Sequence, residues 1–186
     1  MQTAEISDAL LVQRVRKGSE EAWTALYQRH RVAVFRFALH MSGSREIADE
    51  AVQDTFITFL DRLAEFQEDR GAPIAFLIGI ARFKVLRILR QRKQTIPLNE
   101  VPERPFEGDA LTDLTREESR YALQRAIAAL PESYREAVVL CDLRELSYED
   151  AAKVMECPVG TVRSRLHRAR QMLIERMTAK GKGCLA

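Results

Sequence analysis

The residues between Cys157 and Ile174 include four arginines and no acidic residue, a composition suited to binding a polyanion. Placed on a helix, this stretch gathers its apolar residues on one side, which predicts that this side packs inward. The opposite side carries groups that can donate to or accept from base edges in a major groove, namely Arg163, Ser164, His167, Arg168 and Gln171. Arg165 and Arg170 flank that side and are better placed for phosphates. The pattern favours a DNA-reading helix over the alternative, a solvated basic surface.

A second acid-free stretch, residues 82–99, holds six basic residues. One helical face here combines aromatic and guanidinium groups, which together can stack unpaired bases: Phe76, Phe83, Arg87 and Arg90. The alternative is that both phenylalanines belong to the core. Residues 46–69 have the opposite charge, with eight acids against one arginine. Their acidic, Gln-bearing face either is solvated or binds a basic surface.

Apolar residues recur three and four positions apart along most of the chain, which predicts an all-α fold. Three of the six prolines fall in residues 95–117, a stretch without apolar periodicity. We therefore expect two small helical domains, residues 1–94 and 118–186, joined by a flexible acidic linker. In the first domain, helices are predicted from a cap at Ser7 or Asp8 to Val15, from Glu20 to the break at Ser42-Gly43-Ser44, from about residue 45 to 66, and from 74 to 93.

The second domain is predicted to form a helix-turn-helix. Helices are expected over residues 116–130 and 131–140. Ser147-Tyr148-Glu149-Asp150 then has the pattern of a capping box, which opens a short helix through Met155. A tight turn and a longer basic helix to about Met177 follow, in the order found in helix-turn-helix DNA-binding proteins.

The composition excludes several other classes of protein. With 46% hydrophobic residues, disorder is not expected, and no apolar stretch is long enough to cross a membrane. The N-terminus lacks the pattern of a secretory signal, so we expect a cytoplasmic protein. The three cysteines, Cys141, Cys157 and Cys184, form no CxxC pair and are expected to be free thiols.

No motif of an enzyme is present, so no catalytic residue and no cofactor are predicted. The three histidines, His30, His40 and His167, are scattered along the chain. Cys141, Cys157 and His167 have no spacing of a standard zinc site, and no metal is expected.

Two blocks resemble a known family. ALPESYREAVVLCDLRELSYEDAAKVMECPVGTVRSRLHRARQML, residues 129–173, is similar to the promoter-reading C-terminal domain of the extracytoplasmic-function (ECF) sigma factors, the small two-domain group of bacterial sigma factors. ADEAVQDTFITFLDRL, residues 48–63, is similar to the helix by which they dock on core RNA polymerase. The resemblance implies a subunit that binds core polymerase, directs it to promoters with −10 and −35 elements, and promotes DNA melting.

The resemblance also implies roles for individual residues. Glu50, Gln53 and Asp54 match positions that contact the β′ clamp helices, and the β flap is expected as a second polymerase contact. Lys84, Arg87 and Arg90, with the two phenylalanines, match the segment that holds the non-template strand of the −10 element. The −35 element would be read as duplex by Arg163, Ser164, Arg165 and Arg168. The linker would thread through polymerase, and an anti-sigma factor is an expected partner.

The −10 segment departs from the family pattern at two positions. Many members read WLYRIARN where this chain reads FLIGIARF, so Phe76 stands for Trp and Phe83 for Asn. Phe83 thereby loses an amide that can hydrogen-bond a base, which points to stacking at this position. The competing interpretation of the whole chain is an autonomous helix-turn-helix regulator that binds duplex DNA without polymerase. That interpretation assigns no role to the acidic helix or to the face that carries phenylalanine and arginine.

Overall fold

The computed structural model describes the backbone of residues 6–67, 71–95 and 114–182, and the side chains of 6–67, 71–91 and 121–178. Every regular element in these ranges is helical, which confirms the all-α prediction. The elements in chain order are α1 (Asp8–Arg16), α2 (Glu20–Ser42), α3 (Arg45–Asp61), α4 (Pro73–Thr95), α5 (Leu114–Ala128), α6 (Glu132–Val138), a π-helical segment (Val139–Leu143), α7 (Tyr148–Met155) and α8 (Val159–Lys182). Residues 96–113 of the predicted linker, and Cys184, lie outside the described residues.

Serine side chains begin four of the described helices. Ser7, Ser19, Ser44 and Ser147 each have extended backbone and accept a hydrogen bond from the amide three residues later. At the other end of α2, Gly43 adopts φ 69°, a left-handed conformation that favours glycine, and its amide donates to the Leu39 carbonyl at 2.8 Å. These short polar signals confirm the predicted starts of the helices at Glu20 and after Ser147, and they select Ser7 over Asp8 as the cap of α1.

Helices α1 to α4 form a four-helix unit in which α2 packs on each of the other three. Its centre is fully buried and includes Leu26, Phe37, Phe59 and Leu77. Helix α3 ends at Asp61, five residues before the predicted end at Phe66. Phe66 is nevertheless buried, because the turn after α3 folds its ring back against Phe59, with centroids 6.3 Å apart.

Helices α5 to α8 form the second unit, with α8 packed against α5, α6 and α7. The helix predicted over residues 131–140 changes from α to π geometry at Val139. Residues on both sides of this change are buried in the core, namely Val138, Val139 and Leu140. The π-helical segment therefore keeps one continuous apolar face in the core.

The two units pack against each other through α4 and α7, and through α2 with α5, α6 and the π-helical segment. Arg82 of α4 forms an ion pair with Glu136 of α6, which is only 3% exposed. Arg135 crosses the same boundary and donates to the Met41 carbonyl at 2.7 Å. Burial raises the pKa of Glu136, and Arg82 opposes that rise. One buried carboxylate thus joins the two units.

Candidate nucleic-acid interface

A capped helix and a tight turn position α8. The Ser147 hydroxyl accepts from the Asp150 amide at 3.0 Å and donates to the Asp150 carboxylate at 2.9 Å, so the side chain of Asp150 also takes part in the N-terminal cap. Helix α7 ends at Met155, and the residue after it, Glu156, has a φ of 51° that turns the chain sharply. Pro158 precedes α8 and its carbonyl accepts from the Thr161 amide at 2.9 Å. Together these features build the predicted helix-turn-helix.

Helix α8 has one buried and one exposed side, as its apolar periodicity predicted. Val162, Leu166 and Ala169 are buried at 2% exposure or less. The side chains predicted to read bases are all exposed together on the other side: Arg163, Ser164, His167, Arg168 and Gln171. Five groups able to donate or accept hydrogen bonds are therefore presented to solvent by a helix anchored along its back.

The two flanking arginines of α8 have partners within the protein. Arg165 is half-buried, with its Nη1 3.9 Å from Cys157 Sγ, and its charge acts on Glu136. Arg170 donates to both carboxylate oxygens of Asp142, at 2.6 and 3.1 Å. That carboxylate raises the pKa of the Arg170 guanidinium. Arg165 and Arg170, which the helical pattern predicted to contact DNA phosphates, thus make contacts within the C-terminal unit.

Residues that the sequence pattern missed lie beside the exposed face of α8. The guanidinium carbon of Arg163 lies 5.4 Å from the centre of the Tyr148 ring. Asp142 holds Arg170 from the π-helical segment. The position of Tyr148 directly after the capping Ser147 was a usable signal, because the first residue of α7 points across the turn toward α8. Asp142 gave no such signal, since it lies 28 positions before its partner.

The aromatic and basic residues of α4 divide into an exposed and a packed group. Phe83 is 64% exposed, and Arg87 and Arg90, one and two turns later, are also exposed. Phe76 is half-buried: its ring centre lies 5.5 Å from that of Phe66, in an aromatic cluster that also contains Phe59. Phe83 therefore projects from the face predicted for stacking, whereas Phe76 mainly supports it.

Lys84 and Asp54, predicted to bind DNA and polymerase respectively, contact each other. Lys84 Nζ lies 3.3 Å from Asp54 Oδ2, and both side chains are partly exposed. The other predicted polymerase contacts, Glu50 and Gln53, are exposed on α3. Ile57 continues the same face one turn later and is 53% exposed. The surface around Asp54 thus combines acidic groups with an uncovered aliphatic side chain.

The thiols and histidines do not assemble into a metal centre in the part of the chain that the structure describes. No three His, Cys, Asp or Glu side chains there form a group able to hold a metal ion. Cys141 and Cys157 are half-buried free thiols, and burial raises the pKa of Cys141. Among the described helices, none is long and apolar enough to cross a membrane.

Comparison with known proteins identifies both units. Residues 26–95 match the family model of sigma-70 region 2, and residues 120–173 match that of sigma-70 region 4. The ECF RNA polymerase sigma-E factor of Salmonella typhimurium strain LT2 is 33% identical over 183 residues, which cover 91% of this chain and 93% of that protein. This chain belongs to the sigma-70 family. It is a sigma factor of the ECF group, as the two sequence blocks predicted.

Solved sigma-factor structures share the fold. The structure of CnrH in complex with the cytosolic domain of CnrY has a TM-score of 0.71 at 26% identity and covers 92% of this chain and 97% of CnrH. The sigma factor RpoE of Bartonella quintana, solved with the anti-sigma factor NepR, has a TM-score of 0.66 at 27% identity and covers 81% of this chain and 93% of RpoE. Both resemblances span the two helical units of the chain.

Proposed function

We propose that this sigma factor reads the −35 element as duplex through α8, holds the melted −10 strand through α4 and binds core RNA polymerase through α3. One observation carries the proposal: the predicted base-reading residues of α8 are all exposed on the side opposite its buried face. An arginine there can donate to two acceptors of one guanine, and the serine, histidine and glutamine can donate to or accept from neighbouring base edges.

The exposed end of α4 fits a single strand better than a duplex. Phe83 offers a ring on which an unpaired base can stack, and this interaction tolerates any base because every base has a π face. Arg87 and Arg90 continue along the same side of the helix and can follow the phosphates of the strand. We assign base stacking to Phe83 and support of the surface to Phe76, which is packed among other rings.

The polymerase contact is assigned to Glu50, Gln53 and Asp54. Charged and polar groups that surround an exposed aliphatic residue, here Ile57, make a surface typical of a protein interface. Acidic groups also select a basic partner and accelerate its association. The two polymerase contacts that we propose are the β′ clamp helices for this face and the β flap for the C-terminal unit.

We further propose that the chain performs no covalent chemistry and acts through binding energy alone, in the cytoplasm, without a cofactor. Bartonella RpoE was solved with an anti-sigma factor. By that similarity we propose an anti-sigma partner for this chain, one that holds both helical units and keeps them from polymerase.

The proposal is tested by transcription from fragmented genomic DNA with sigma-free core polymerase and the purified chain, followed by sequencing of transcript 5′ ends. We expect discrete starts that share two upstream motifs and are absent without the chain. Duplex binding without core binding or starts would instead identify an autonomous regulator.

The polymerase surface is tested by charge reversal. Glu50→Lys should weaken core binding about tenfold or more, equivalent to about 1.4 kcal/mol, because it places a cation against a basic partner. Glu20→Lys makes the same change at an exposed acid of α2 in the same unit and should leave core affinity near that of the wild type. Equal affinities for the two variants would remove α3 from the interface.

A further inference from the structure

The contact between Tyr148 and Arg163 joins the two helices of the helix-turn-helix at its exposed surface. The guanidinium carbon of Arg163 lies 5.4 Å from the ring centre of Tyr148. At this distance the cation is attracted by the ring's electron-rich face. Arg163 is exposed, and an exposed arginine otherwise samples many rotamers, so a ring beneath it restricts where its donors point.

Tyr148 itself is held firmly. It is the first residue of α7, directly after Ser147, whose side chain exchanges hydrogen bonds with Asp150. The following residues Ala151 and Ala152 are buried against the core, so the start of α7 cannot shift without disturbing packing. The ring is 36% exposed, which leaves it on the surface beside α8. An anchored ring of this kind can preorganise a neighbouring side chain.

A second pair on the same surface indicates that the arginines of α8 have different tasks. Asp142 engages Arg170 with two hydrogen bonds and so occupies the Nε and Nη2 edge of its guanidinium. The Tyr148 ring leaves the donors of Arg163 unoccupied, because a contact with a π face uses none of them. Arg170 is thereby held by the protein, whereas Arg163 is oriented but remains able to bind DNA.

We propose that Tyr148 is a positioning residue for promoter selectivity, which holds the Arg163 guanidinium in place for base recognition. This inference rests on the proposed reading of duplex DNA by α8. Tyr148 acts through Arg163, so its contribution should appear at the base pair that Arg163 reads and disappear when Arg163 is removed.

The test measures discrimination by the complete polymerase holoenzyme between a cognate promoter and promoters with single changes in the −35 element. Tyr148→Leu should lower discrimination at one base pair about two- to fivefold, the equivalent of an exposed cation–π contact of about 0.5–1 kcal/mol. Tyr148→Phe keeps the ring and should keep wild-type discrimination. In an Arg163→Ala background, Tyr148→Leu should cause no further loss.

The following results with the Tyr148 variants would overturn the proposal. An equal loss from Tyr148→Leu with and without Arg163 would indicate a structural or phosphate-binding role. A loss in Tyr148→Phe would assign the effect to the hydroxyl. Unchanged discrimination in Tyr148→Leu would remove the ring from selectivity altogether.

An NMR measurement of the wild-type protein tests the contact even if Tyr148→Leu does not fold. The ring should shift the Arg163 side-chain proton resonances upfield relative to those of Arg168. Absence of that shift in the wild-type protein would contradict the contact.

The Arg163→Ala variant distinguishes failure of the proposed DNA reading from failure of the role of Tyr148. If Arg163→Ala leaves discrimination unchanged, the assigned reading of DNA fails together with the role of Tyr148. If Arg163→Ala lowers discrimination but Tyr148→Leu does not, only the role of Tyr148 fails.

Discussion

Phe76 and Phe83 lie about two turns apart on α4, yet their surroundings differ. Phe76 packs edge-on against Phe66 and also lies under the guanidinium of Arg62, 5.7 Å from its ring centre. Phe83 is 64% exposed. The helical pattern placed both rings on one face and left open whether that face was core or binding surface. The packing of Phe59 from α3 and of Phe66 from the turn after it against Phe76 separates the two roles.

This difference predicts opposite effects of two matched substitutions. Phe76→Ala should lower the free energy of unfolding by about 2–4 kcal/mol, because it removes packed aromatic surface. Phe83→Ala should change stability by no more than about 0.5 kcal/mol, since its ring is mostly in water, but should reduce promoter melting. Urea unfolding and permanganate footprinting of the −10 region measure the two effects. Comparable destabilisation by both variants would mean that Phe83 belongs to the core.

Arg165 and Arg170 mark a limit of prediction from sequence at the residue scale. A helical projection gives the direction of each side chain but not the partners that other elements bring to it. Glu136 lies 29 positions before Arg165, and Asp142 lies 28 before Arg170. Their proximity depends on how α6 and the π-helical segment cross α8, which no local pattern specifies. The exposed side of α8 was predictable because it needs no partner within the chain.

At the scale of elements, local signals predicted helix starts better than helix ends. Serine caps act within three residues and can be read directly from the chain. The end of α3 could not be predicted, because Leu63 and Phe66 continue its apolar spacing although the helix stops at Asp61. The π-helical segment was missed for a related reason: its apolar residues suit α and π geometry equally well.

Helix α7 offers a direct test of a local signal. Ser147→Ala removes the side-chain acceptor for the Asp150 amide and should lower the free energy of unfolding by about 1 kcal/mol. Ser147→Thr keeps an acceptor and should lose less. Ser133→Ala, inside α6, serves as the matched control because Ser133 caps no helix. Denaturant titration of all three variants measures the loss of unfolding free energy. A loss in Ser147→Ala no larger than that in Ser133→Ala would contradict a stabilising cap.

At the scale of the whole molecule, the two units face each other more closely than two promoter elements allow. Elements centred near −10 and −35 are separated by roughly 25 base pairs, or about 85 Å at 3.4 Å each. Arg82 and Glu136 instead bring α4 and α6 into direct contact. Under the proposed function, the two units must therefore separate before both elements can be bound.

His40 predicts how pH affects this closed arrangement. Burial lowers its pKa from the ordinary 6.5, and the positive charges of Arg144 and Arg36 lower it further, while its contact with the Arg36 carbonyl opposes the change. Because Arg144 belongs to the C-terminal unit and His40 to α2, protonation adds repulsion across the boundary. Below about pH 6.5 the His40 ring binds fewer protons in the folded state than in the unfolded state, so the contribution of His40 to stability decreases as the pH falls.

Thermal unfolding at about pH 7.5 and about pH 5.5 measures this dependence. We expect a lower midpoint in acid, a smaller decrease in His40→Gln, and the wild-type decrease in His167→Gln, which alters an exposed histidine of α8. Burial also lowers the pKa of His30, so His30 contributes in the same direction to the dependence that remains in His40→Gln. An unaltered decrease in His40→Gln would remove His40 from the acid response.

Under the proposed function, the 3.3 Å contact between Asp54 and Lys84 links two binding events thermodynamically. Asp54 belongs to the proposed polymerase surface and Lys84 to the proposed surface for the melted strand. A polymerase cation that takes over Asp54 releases Lys84, and a strand phosphate that takes over Lys84 releases Asp54. Coupling between two ligands of one protein is reciprocal. If bound polymerase raises the affinity for the strand by some factor, the bound strand must therefore raise the affinity for polymerase by the same factor.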